Sequence, residues 1–128
     1  LTGDCPWPET QIGREIGYAM DFYPDLEPRV FLSYERDSWY APESGLRITF
    51  DDAIRFRTAD LTLDSDLWGT ALLRPDQVLM ELKAPGAIPL WMVRLLTEMG
   101  LYKTSFSKYG TAYQILLEQE YKGGKRYA

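Results

Sequence analysis

Six residues, LRITFD from Leu46 to Asp51, alternate apolar and polar side chains without a break. That period of two fits only a β-strand, with Leu46, Ile48 and Phe50 on one face and Arg47, Thr49 and Asp51 on the other. Two further segments behave alike. In RVFLSYER, Arg29 to Arg36, the residues are mostly β-favouring, and Tyr34 and Arg36 share a face. In VLMELKA, Val78 to Ala84, Glu81 and Lys83 share one. Three strands that each carry an ionic face demand a sheet with two unlike sides.

The stretches between them read as follows. PETQIGREIGYAMDFYPD predicts a helix, with Pro8 in its first turn, Ile12, Ile16 and Met20 four residues apart, and Pro24 as its stop. Gly13 and Gly17 weaken it. DSWYAPESG predicts an irregular connection ending in a turn at Ser44-Gly45. AIRFRTA repeats the alternation of LRITFD after only two or three residues around Asp52, which predicts a hairpin there. The run from Asp60 to Gln77 predicts a long loop holding a short strand or turn. PGAIPLWMVRLLTEMG is the best helix signal: Pro89 suits the first turn, Leu90, Val93, Leu96 and Met99 line one side, and Gly100 suits the C-terminal cap. Trp91 and Met92 read as packing residues. A last helix is expected over Thr111 to Gln119, followed by a flexible basic tail, KGGKRYA. No repeat or low-complexity run interrupts the chain. The fold class expected is α+β, an antiparallel sheet with flanking helices in one domain.

Composition narrows function. The net charge of −5 argues against a general nucleic-acid binder. The 128 residues include no histidine, which removes the serine triad, imidazole general-base chemistry and the usual zinc sites. Any metal must be held by oxygen, which points to Mg²⁺, Mn²⁺ or Ca²⁺. A single cysteine, Cys5, allows no internal disulfide, so a reducing, cytoplasmic compartment is expected. No run of eighteen apolar residues is present, and the opening LTGDCPWPET resembles no signal peptide.

The charged strand faces admit two readings. They are solvent-facing sides of ordinary strands, or they converge inside a curved sheet around something anionic. In the second case guanidinium forks and ammonium groups match phosphate oxygens, and one carboxylate, Glu81, serves a divalent cation bridging them.

The order LEPRVFLSYERDSWY, GLRITFDDAI, VLMELKAPGAIPLWMVRLL, SFSKYGTA is similar to that of the VTC domain, the polyphosphate polymerase domain of the vacuolar transporter chaperone complex and its bacterial relatives. The family's patterns are L-x-P-x-V with Y-x-R, then R-I-T-F-D, then L-E-x-K before a Pro-started helix, then S-K-Y. The resemblance covers about Leu26 to Ala112. It implies the triphosphate tunnel metalloenzyme (CYTH-like) fold, an antiparallel β-barrel that binds triphosphate, polyphosphate or ATP with a divalent metal, Mn²⁺ or Mg²⁺. The family's polymerases move the ATP γ-phosphoryl group onto polyphosphate. By the same resemblance Tyr34, Arg36, Arg47, Lys83, Ser107 and Lys108 bind phosphate, and Glu81 holds the metal.

The family's early E-x-K-Y and R-x-R strands have no counterpart in this sequence. The resemblance is therefore to the C-terminal half of the domain, with the barrel completed by N-terminal strands or by a second copy in a homodimer. A non-catalytic polyphosphate- or nucleotide-binding module or scaffold is the alternative function. Plainer roles remain open for each residue: Glu81 paired with Lys83, Arg36 with Asp37 or Glu35, Ser107 as a helix cap, Lys108 as a surface lysine, Tyr34 in the core. Arg55 and Arg57 are expected at the surface or rim, and Asp51 as a neighbour of Arg47 or a turn residue.

Overall fold

A computed structural model of the chain describes residues 7–124. Cys5 and the end of the expected basic tail lie outside them. The elements run α1 (Gln11–Phe22), β1 (Phe31–Ala41), β2 (Leu46–Arg57), β3 (Thr70–Ala71), β4 (Leu79–Lys83), α2 (Leu90–Glu98) and α3 (Lys108–Gly124). The class is α+β, as the alternation predicts.

The sheet is antiparallel and built around β2. Strand β1 lies along one side of it from Phe31↔Arg57 to Ala41↔Leu46. On the other side β4 pairs with its first half, Arg47↔Lys83 to Asp51↔Leu79, and β3 with its second half at Arg55↔Ala71 and Phe56↔Thr70. The sheet is open: β1 and β4 are its outer strands beside the charged rows, and the four strands do not close into a barrel.

The turn expected at Ser44-Gly45 is present and joins β1 to β2, whereas the hairpin expected around Asp52 is absent. No turn occurs at Asp52. The strand runs unbroken through it, and the chain reverses instead between Ala41 and Leu46, where Gly45 takes φ +66° and its N–H donates to the Ala41 carbonyl at 2.9 Å. What the alternation disguises as a turn is a β-bulge. Between the pairs Ser33↔Arg55 and Glu35↔Asp52, β1 contributes only Tyr34 while β2 contributes Ala53 and Ile54, and Ala53 has φ +46°. One extra residue moves all that follows to the other face. Asp51 therefore shares its face with Ile54 and Phe56, not with Arg55 and Arg57.

Arg57 is the second correction. It is 3% exposed rather than a surface or rim residue. Its guanidinium lies 3.7 Å from the Phe31 ring centroid and donates to the carbonyls of Ala59, Asp60, Asp66 and Trp68 at 2.7–3.1 Å. A fork with five donors can thus fasten a loop that has little regular structure of its own. Arg55 is exposed, as expected.

The helices match with shifted ends. Helix α1 is capped by Thr10, whose hydroxyl accepts from Gly13 N at 3.0 Å, so Pro8 precedes the helix. Gly13 is not a weakness there, because a Cβ at that position would fall 1.8 Å from the Pro8 carbonyl oxygen. Pro89 takes the cap position of α2. At its other end Gly100, at φ +67°, donates to Thr97 O while Leu101 N donates to Leu96 O, the Schellman arrangement expected of that glycine. Helix α3 starts three residues earlier than expected and absorbs the first residues of the basic tail.

The buried core is small: Phe31, Leu46, Ile54, Phe56, Met92 and Ala112. The apolar sheet face is only partly covered, with Trp39 66% and Phe50 37% exposed. Trp91 is exposed too, so of the two helix residues read as packing only Met92 is buried.

The role of Arg57 has a measurable consequence. Arg57→Lys keeps the charge and loses the fork, and we expect it to cost about 2–4 kcal/mol in urea unfolding. Arg55→Lys, at an exposed position, should stay within about 0.5 kcal/mol of the parent. Equal effects would contradict the assignment.

Candidate functional site

Register alone assembles the site. Across β1, β2 and β4 one face of the sheet presents three rows: Tyr40, Arg47, Lys83; then Ser38, Thr49, Glu81; then Arg36, Asp51, Leu79. The strict alternation of LRITFD dictates this, because each polar residue of β2 meets a polar residue on at least one neighbour. The first two rows, with Arg36 and Trp39, line a cleft of about 400 Å³.

At the inner end of the cleft lies the strongest electrostatic feature of the molecule. Asp51 is fully buried. Arg36 grips it with both prongs, Nε to Oδ1 at 2.5 Å and Nη2 to Oδ2 at 2.7 Å. Lys108 Nζ reaches Asp51 Oδ2 at 2.7 Å and Glu81 Oε1 at 3.2 Å. The Tyr34 ring is 4.9 Å from the Arg36 guanidinium and 4.7 Å from Lys108 Nζ, a cation–π seat for both. Arg36 thus pairs with Asp51, not with Asp37 or Glu35, and Tyr34 is 41% exposed, not core.

Lys108 arrives from a different element. Ser107 caps α3: its Oγ accepts from Gly110 N at 3.0 Å and its carbonyl from Thr111 N at 2.8 Å. Ala112, fully buried, anchors the first turns of that helix. A lysine at the N-terminus of a helix opposes the macrodipole. Here two carboxylates offset that repulsion, so the site rather than the helix accounts for the residue.

The hydrogen bond from Arg36 holds the Asp51 carboxyl below its ordinary value; burial opposes this, and the hydrogen bond from Lys108 adds to it. For Lys108, burial pulls the ammonium down, but the bonds to Asp51 and Glu81 outweigh it and the net direction is upward. Arg36 is raised further above its usual range, chiefly by its hydrogen bond to Asp51.

Of the residues carried by the resemblance, Arg36, Arg47, Glu81 and Lys83 border one cleft, and Tyr34 and Lys108 join Arg36 and Glu81 at its inner end. Ser107 lies beside Lys108 with its hydroxyl committed to the cap. The residue whose role the sequence misplaces is Asp51: expected beside Arg47 or in a turn, it pairs with Arg36 and Lys108 within a strand. Its signal was present in the alternation, but nothing local distinguishes it from Arg47 or Thr49 on the same face.

The carboxylates decide what could hold a cation. Both oxygens of Asp51 already receive hydrogen bonds. Glu81 Oε1 faces Lys108, while Oε2 faces exposed Lys83 across 3.8 Å. Among the described residues no group of three acidic, cysteine or histidine side chains gathers to cage an ion. Of the two carboxylates only Glu81 keeps an oxygen, Oε2, without a hydrogen bond among the described residues.

The family model of the VTC domain matches residues 8–117. The chain belongs to the VTC domain family. The match takes in α1 and every strand, and so reaches further toward the N-terminus than the motifs from Leu26 alone. It gives this VTC domain a polyphosphate-related role at the level of the family. No curated protein and no solved structure matches the chain significantly. No described helix is long and apolar enough to cross a membrane.

The buried pair sets an acid limit. The folded value of Asp51 lies below the unfolded one, about 3.9. Its contribution is therefore complete above that value and is lost as pH falls through the lower, folded one. Asp51→Asn leaves Arg36 and Lys108 without their anion and should cost about 3 kcal/mol near neutral pH. In that variant the fall in stability below about pH 4 should be shallower than in the parent. Urea unfolding at stepped pH checks both.

Proposed function

We propose that the cleft of this VTC domain binds a chain of phosphates, whether triphosphate, polyphosphate or the phosphate tail of ATP. The observation that carries the reading is local charge. In a chain of net charge −5, the cleft gathers three cations, Arg36, Arg47 and Lys83, around one carboxylate, Glu81. Arg47 has no carboxylate within 4 Å among the described residues and rests beside the Tyr40 ring at 6.0 Å. A guanidinium placed this way is available to a bidentate anion.

The chemistry of the donors supports a division of roles. Arg47 and Lys83 neutralise phosphoryl oxygens at the outer row. Arg36 and Lys108, oriented by Asp51 and Tyr34, present fixed N–H donors at the inner row, and Ser107 holds Lys108 in place through the cap. A divalent cation, Mg²⁺ or Mn²⁺, would be held by Glu81 together with phosphate oxygens and would supply neutralisation of the charge between them. Transfer of the ATP γ-phosphoryl group to polyphosphate needs no side-chain base, since a polyphosphate end is already ionised, which suits a chain without histidine.

The sheet supports the role of one wall of a triphosphate tunnel. Strands beyond those described, from the same polypeptide or from a second copy, would face it and complete the barrel. Phosphoryl transfer requires exclusion of water, and a cleft open on one side does not provide it. Binding is therefore the activity we assign to the described residues, and transfer is assigned to the closed tunnel.

Calorimetric titration with tripolyphosphate tests the reading. Binding should weaken as salt rises, and Arg47→Ala and Lys83→Ala should each weaken it about tenfold or more. Neither residue belongs to the buried cluster, so both variants should unfold like the parent. Undiminished binding in both would remove the cleft as the site. Incubation of the intact protein with ATP and Mn²⁺ separates the two activities: polyphosphate formation would show that the tunnel closes in solution, whereas binding without product would favour a module that holds the chain without transfer.

A further inference from the structure

The middle row of the site contains no cation. Ser38 of β1 and Thr49 of β2 stand side by side in it, between the Arg47–Lys83 row and the Arg36–Asp51 row. Both line the cleft. Neither hydroxyl has a hydrogen-bond partner among the described residues, and Thr49 Oγ1 is also closed off from solvent. A buried hydroxyl without a partner is unfavourable, and most buried polar groups avoid it. Valine has the same shape and suits a strand at least as well, so sheet stability gives no reason for a hydroxyl here.

We propose that Ser38 and Thr49 form a neutral rung that hydrogen-bonds the middle of a bound phosphate chain. The inference rests on the reading of the cleft as a phosphate-chain site and adds two residues that neither the motifs nor the family match assigns. Geometry supports it. The row of Arg47 and Lys83 and the row of Arg36 are four residues apart along β2, roughly 13 Å at about 3.3 Å per residue. A single orthophosphate satisfies one row. A ligand that touches both must cross the hydroxyls on the way. One staggered step about χ1 would move the Thr49 hydroxyl out of its closed position. The two hydroxyls leave Glu81 as the one charged member of that row, so they supply the neutral donors beside it. The rung therefore favours linear chains over orthophosphate by contacts that only a chain can make.

The test uses the full chain with tripolyphosphate and, separately, orthophosphate. Thr49→Val and Ser38→Ala should each weaken tripolyphosphate about tenfold, and the double variant more. Orthophosphate affinity should change little, and Thr49→Ser should retain most of the parent affinity. The ligand-free melting temperature of Thr49→Val should equal or exceed that of the parent, because the unpartnered hydroxyl is gone. A lower melting temperature would mean that the hydroxyl serves the fold, and it would overturn the proposal. Parent-like tripolyphosphate binding by the double variant would overturn it while leaving the cleft assignment intact. If the parent itself does not bind tripolyphosphate, both fail together.

Discussion

One buried carboxylate organises this molecule. Asp51 has no contact with solvent and receives hydrogen bonds from a guanidinium and an ammonium group. Burying a charge is tolerable only when it is paired and hydrogen-bonded. The two partners come from different parts of the chain, Arg36 from the neighbouring strand and Lys108 from the first turn of α3. Satisfying Asp51 thus fixes where α3 lands on the sheet. With Glu81 the group holds two cations and two anions, neutral in sum, with the Tyr34 ring beneath both cations. The cleft that opens beside it inherits a rigid edge. A purely apolar contact at this position would hold α3 as well, but it would not orient a lysine.

The local alternation of the sequence carries most of the architecture. LRITFD and VLMELKA define two strands and their charged faces, and Pro89 and Gly100 bracket α2 within a residue or two. What was not legible has physical reasons. A bulge adds one residue without any composition of its own, so Asp52-Ala53 reads like a tight turn. The end of β1, through Trp39 to Ala41, continues because β2 pairs with it, and Asp37 and Ser38 in isolation suggest a loop. Arg57 looks like an outward residue by period two, and only the bulge and four loop carbonyls, two of them nine and eleven residues away, explain its burial.

The same limit applies to the site. The face shared by Arg47, Thr49 and Asp51 follows from periodicity, and the resemblance to the VTC domain names Arg36, Arg47, Glu81 and Lys108. Periodicity cannot say which polar residue lies beneath a helix. That requires knowing that α3 starts at Lys108 and that this lysine reaches Asp51. Ser107 illustrates how two readings coexist at one residue: its hydroxyl is a helix cap, and through that cap it sets the position of Lys108. The apolar face of the sheet stays partly uncovered, with Trp39 and Phe50 exposed.

The central claim is that the charged face of the sheet is where a phosphate chain lies. A crystal structure grown with tripolyphosphate tests it most directly. The account predicts phosphoryl oxygens within hydrogen-bond distance of Arg47 and Lys83 in the outer row, with the chain extending toward Arg36 and the Arg36–Asp51–Lys108 cluster intact. Tripolyphosphate seated elsewhere, for instance on the Lys103–Ser107 segment before α3, with Arg47 and Lys83 untouched, would contradict it.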